Sequence, residues 1–168
     1  MDAPSDLRKV IERAGRHYES FHSKENILDQ FIDLLISIET LFSPSDMRES
    51  TYRICENMAF FLGQNSNERN KIYQFMNIIL DKRNKLYHGG YNTKEVDEGK
   101  FIAKSEIGEL ASYARRSIVG YIILFLREYN HKKVVLNKIQ LLIMGKESSD
   151  EFQRSIDADL YIQENIPF

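Results

Sequence analysis

Hydrophobic residues recur at three- and four-residue steps along almost the whole 168-residue chain, and no segment alternates with the two-residue period of a strand. That pattern confines the chain to an all-α fold, because apolar stripes of this period are buried by packing helix on helix. The stretch "ILDQFIDLLISIETLF" is the clearest case. Its residues Ile27, Phe31, Leu34, Leu35, Ile38, Leu41 and Phe42 line one side of a single helix.

Punctuation residues divide the pattern. A first helix is expected from a cap at Ser5 to about Ser20, with Leu7, Val10, Ile11 and Ala14 turned inward, and a second after a cap at Ser23, ended by "SPSD". A third covers 47–62 and stops at Gly63, and a fourth starts at Ser66 or Asn67, carries Ile72, Phe75, Met76, Ile79 and Leu80, and stops at Gly89 and Gly90. Residues 91–103 read as a surface loop, a fifth helix follows the cap signal of Ser105, a sixth spans 131–144, and a short one falls at 148–158. The expected organisation is a bundle of five to six helices in residues 1–145, followed by an acidic tail, 146–168, that packs on the bundle or binds a partner.

Composition narrows the function classes. The net charge is −2, and the tail alone holds two basic and six acidic residues, so the rest of the chain is near neutral and any phosphate-binding role must use a local cluster, around 82–85 or 115–133. The lone cysteine, Cys55, allows neither an internal disulfide nor a cysteine zinc site. His17 and His22 are five residues apart rather than the four of a metal pair on one helix face, so no metal and no cofactor are expected. "MDAPSDLRKV" lacks the pattern of a signal peptide, and no apolar run approaches the ~18 to 20 residues that span a bilayer, so the expectation is a cytoplasmic protein without a membrane partner.

The stretch "DKRNKLYHGG", 81–90, supports two readings. Cations in a last helical turn followed by glycine make an ordinary helix stop. Alternatively, Arg83 and His88 form a catalytic pair. On a straight helix their five-residue step leaves them about 140° apart in azimuth and ~7.5 Å apart along the axis, so a second chain or a distortion would have to complete the site. Asn84 is one turn from His88 and is placed to orient its imidazole. A histidine that moves a proton and an arginine that stabilises phosphoryl charge suit cleavage of RNA by attack of a ribose 2′-hydroxyl on the adjacent phosphorus.

"FIDLLISIETLF" (31–42), "STYRICENMAFFLG" (50–63) and "IYQFMNIILDKRNKLYHGG" (72–90), in that order, resemble the Apea-like branch of the HEPN superfamily, whose signature is Arg, a polar residue, a short spacer and His. The resemblance covers roughly 27–130. It implies a HEPN-like helical bundle that dimerises with the motifs of two copies facing a shared cleft. It also implies a metal-independent endoribonuclease acting in a toxin–antitoxin, phage-defence or RNA-processing role, with an antitoxin or regulatory protein as a further partner. Arg83, Asn84 and His88 match the catalytic positions, and Glu39 matches the acidic residue of the second helix. The tyrosine that follows the histidine by two places in toxins controlled by a nucleotidyltransferase is displaced here to Tyr91, with Gly90 in its position. The alternative is a non-catalytic HEPN module that binds nucleotide, RNA or protein.

Six further residues complete the expected RNA surface. Lys82 and Lys85 flank the motif, Tyr87 and Tyr91 are placed to stack on bases, and Arg115 and Arg116 are placed to meet phosphates or to form a solvated helix face.

Overall fold

In the computed structural model, which describes residues 6–43, 50–87 and 101–157, the helical period becomes seven helices, with no strand among the described residues. They are α1 (Asp6–His22), α2 (Ile27–Phe42), α3 (Ser50–Leu62), α4 (Ser66–Tyr87), α5 (Lys104–Leu126), α6 (Lys132–Ile143) and α7 (Ser149–Ser155). None of them is long and apolar enough to cross a membrane.

Several boundaries differ from the expected ones. α2 is capped by Asn26, whose side-chain oxygen accepts from the backbone N–H groups of Leu28 and Asp29 at 2.8 and 3.2 Å. Ser23 instead closes α1, its hydroxyl donating to Ser20 O. Asn26 directly precedes the first apolar residue of the stripe, which is where a cap satisfies the orphan donors of the first turn. α4 starts at Ser66 as expected, and Asn65 caps it, its side-chain oxygen accepting from Glu68 N at 3.0 Å. α5 begins before Ser105, at Lys104, where the Glu106 carboxylate accepts the Ala103 N–H at 2.8 Å. The start of the third helix at 47 and the end of the fourth at Gly89 and Gly90 lie outside the described residues.

α2 is the centre of the fold. Its residues Phe31, Leu34, Ile38, Leu41 and Phe42 are fully buried, each worth about 1.5–3 kcal/mol in transfer terms. α1 packs along one side of α2, α5 crosses it, and α3 pairs with α4. The C-terminal carbonyls of α2 are closed by other helices. Tyr121 of α5 donates its hydroxyl to Leu41 O at 2.8 Å, and Asn57 of α3 donates to Phe42 O at 3.1 Å. These bonds fix where α2 ends relative to its neighbours, because those carbonyls have no partner within their own helix.

Around them Phe42, Phe61, Tyr121 and Phe152 form an aromatic cluster with ring centroids 5.1–5.7 Å apart. Phe152 belongs to α7, so the described part of the acidic segment packs on the bundle, and Gln153 adds a bond to Phe61 O at 3.1 Å. The surface loop expected over 91–103 is wrong at its end. Phe101 and Ile102 are buried, and Phe101 meets Phe31 edge-on at 6.3 Å, because two adjacent apolar residues at the entry to α5 can reach the core. Residues 91–100 lie outside the described part.

Candidate functional site

The last two turns of α4 carry the motif. Ile79 and Leu80 are buried, which anchors the helix and leaves Lys82, Arg83 and Asn84 half-buried at its edge. Arg83 is held from two directions. Its Nε and Nη2 donate to Asn84 Oδ1 at 3.2 and 2.9 Å, and its Nη1 donates to the Glu39 carboxylate of α2. Three of the five guanidinium N–H groups are thereby used, leaving one on each terminal nitrogen without a partner among the described residues. Asn84, expected to orient His88, therefore directs its oxygen to Arg83. Neighbouring Ile38 is fully buried, which fixes the backbone that carries Glu39.

Lys82 turns to α5 and donates to both oxygens of Glu106 at 2.7 and 2.8 Å. Burial works against the charge on Glu106, but the bonds from Ala103 N–H and Lys82 outweigh it and hold the carboxyl below its ordinary range. The ion pair ties the end of α4 to the start of α5, across the segment that leaves one and enters the other. Lys85 pairs with Asp81 one turn back at 2.6 Å. Tyr87 is 67% exposed, as a base-stacking residue would have to be. His88 and Tyr91 lie outside the described residues.

Arg115 and Arg116 sit apart from this cluster on α5, both exposed. Arg116 donates to Leu62 O at 3.2 Å, so it closes a carbonyl at the end of α3. Cys55 is buried, and its thiol is pushed up to about 11 by that burial, the setting of an inert structural thiol. Among the described residues no three His, Cys, Asp or Glu side chains gather as metal ligands.

Sequence reasoning missed a cleft that shares Glu39 with the Arg83 cluster. This cleft, of about 1170 Å³, lies between α1, α2, α3 and α6, and Lys9, Arg13, Arg53, Lys132 and Lys133 line it. His17 also lines it, with Nδ1 3.0 Å from Asp33 Oδ1, while Ser20 donates to the other oxygen of Asp33 at 2.8 Å. The four-residue spacing of Lys9, Arg13 and His17 was the available signal, since it places them in one row along α1. Arg53 and the α6 lysines join that row only through tertiary packing.

No protein-family model matches the chain, and no curated protein or solved structure matches it at a significant level.

Proposed function

We propose that the chain is a metal-independent endoribonuclease of the HEPN type, acting as a homodimer on single-stranded RNA. The observation that carries this reading is the arrangement of Arg83. The guanidinium stands at the end of α4, five residues before His88, pre-set by Asn84 and Glu39 with two donors unpaired among the described residues. A phosphoryl group accepts well from such a fork, and a donor fixed before the reaction costs no reorganisation during it.

In this reading His88 moves the proton of the ribose 2′-hydroxyl as it attacks phosphorus. Arg83 stabilises the charge that develops on the phosphoryl oxygens, and the 5′-oxygen departs to leave a 2′,3′-cyclic phosphate. Since a five-residue step on a regular helix would leave two side chains about 140° apart in azimuth, the second copy of the chain supplies the complementary half of each site in this reading. Lys82, Lys85 and Tyr87 border the strand, and Arg115 and Arg116, apart from them on α5, are left to a longer substrate. A role in toxin–antitoxin control, phage defence or RNA processing follows from the resemblance of the motif.

The test is incubation of the purified chain with single-stranded RNA in EDTA. Cleavage that yields 2′,3′-cyclic ends and disappears in both His88→Ala and Arg83→Ala supports the reading, and cleavage that persists in either overturns it. The competing reading is a non-catalytic module binding nucleotide, RNA or a protein partner. It draws on the Glu39–Arg83 ion pair, which a structural role also explains. RNA binding by the wild type without any cleavage would establish it.

A further inference from the structure

The cleft between α1, α2, α3 and α6 gathers cationic side chains from distant parts of the chain onto one concave surface. Elsewhere among the described residues, several cations meet carboxylates: Arg8 with Glu12, Lys82 with Glu106, Lys85 with Asp81 and Lys138 with Glu147. Inside the cleft Lys9, Arg13, Arg53, Lys132 and Lys133 converge from three helices, and none forms an ion pair with a described residue. Two carboxylates share the cleft, and both are engaged by other groups. Asp6 accepts the backbone N–H of Lys132 at 3.3 Å, and Glu39 accepts from Arg83. His17 has Nδ1 committed to Asp33, so it meets a ligand through Nε2.

Like charges facing one another across a concave, partly desolvated surface repel, and an anion in their midst reverses that cost. Burial, reinforced by Arg13 and opposed by Asp6, brings Lys132 down to about 8, so a cation is kept here against its own desolvation.

Neutral hydrogen-bonding groups line the inner wall. Asn57 is buried, and its oxygen accepts from Gln140 at 2.9 Å, which fixes both amides beside Thr40 and Ser43. The apolar lining is aliphatic, namely Val10, Ile36 and Leu136, and no Phe or Tyr lines the cleft among the described residues. A strand of bases therefore finds no Phe or Tyr to stack on here, whereas closely spaced phosphates meet five cationic side chains. Five cations against two carboxylates also exceed what one carboxylate ligand could neutralise.

We propose that this cleft is a binding site for a compact ligand carrying several adjacent phosphates, of the polyphosphate or nucleoside triphosphate class, held by Lys9, Arg13, Arg53, Lys132 and Lys133.

The test is titration calorimetry on the full chain in EDTA with three probes: inorganic tripolyphosphate, ATP and a single-stranded RNA. Tripolyphosphate should bind saturably, and Arg13→Glu/Lys133→Glu should weaken it by at least about tenfold, as expected for losing close charge contacts. Lys71→Glu/Lys146→Glu, an equal change of charge outside the cleft, should leave affinity near that of the wild type. ATP affinity within a few-fold of tripolyphosphate assigns the site to a triphosphate group, and tighter tripolyphosphate binding assigns it to inorganic polyphosphate. Circular dichroism verifies that each variant is folded, and Arg13→Ala/Lys133→Ala replaces the reversal should it not fold. Equal weakening by both pairs of reversals, absence of saturable binding, or cleft-dependent binding of RNA alone overturns the proposal. None of these readouts involves RNA cleavage, so failure of the cleft and failure of the ribonuclease reading are separate outcomes.

Discussion

Arg83 on α4 and Glu39 on α2 are 44 residues apart in sequence and form one ion pair, with side chains 18% and 27% exposed. The pair joins the helix that carries the motif to the most buried helix of the fold, so the position of the guanidinium is inherited from the core. It also divides two surfaces, since Glu39 lines the cationic cleft on one side and holds Arg83 on the other.

A half-buried pair of this kind should show measurable coupling. In a double-mutant cycle of Glu39→Gln and Arg83→Met, followed by urea unfolding, the interaction energy should be ~1 kcal/mol. Under the proposed ribonuclease function, Glu39→Gln should lower kcat by about tenfold or more with little change in KM, because in that proposal it loosens the group assigned to the transition state. A coupling energy near zero would mean that the pair does not position Arg83.

Gly120 lies where α5 crosses α3, and a Cβ there would sit 2.8 Å from two ring atoms of the fully buried Phe61. Phe61 is boxed in by Phe42, Tyr121 and Phe152, so the ring has nowhere to retreat. Gly120→Ala should destabilise by about 1–3 kcal/mol through overpacking, read as a lower urea midpoint at unchanged m-value. An unaltered midpoint would show that the ring can shift.

The helical class and the buried stripes were legible in the sequence because both depend on local period. Leu34, Ile38 and Leu41 are buried as that period requires. Caps were less legible, since Ser23 and Asn26 are both good candidates and only the register of the buried stripe decides between them. Phe101 and Ile102 were misread because their burial depends on contact with α2, distant in the chain. The motif singles out Arg83, but its tie to Glu39 is a tertiary event. The cationic cleft was the least visible feature, because its residues run from position 9 to position 133 and no linear window contains them.

Two residues just beyond helix ends adopt the left-handed region, Glu128 at φ 68° after α5 and Gly145 at φ 66° after α6. A side chain in that region costs on the order of 1 kcal/mol, and glycine returns part of it as unfolded-state entropy. Glu128→Gly should therefore stabilise by about 0.5 kcal/mol, and Gly145→Ala should destabilise by about 1 kcal/mol. Nothing lies within 4 Å of a Cβ at Gly145, so its loss would report backbone strain rather than crowding. Opposite signs in thermal unfolding are the expected result, and equal signs would contradict it.

The cleft also predicts how stability depends on pH. Lys132 titrates at about 8 in the folded chain against an ordinary 10.5, lowered first by burial and then by Arg13, with Asp6 pulling the other way. Between those two values the folded protein has released a proton that the unfolded chain still holds, so this group makes stability rise as pH climbs from about 8 to 10.5. Below 8 both states carry the charge, and the fold bears its desolvation. Lys132→Met should consequently be more stable than the wild type at pH 7, with the difference shrinking across that window. Urea unfolding of both proteins at pH 7, 8, 9 and 10 checks this, and a stability difference that stays constant over the series would rule out a buried, depressed lysine at the cleft.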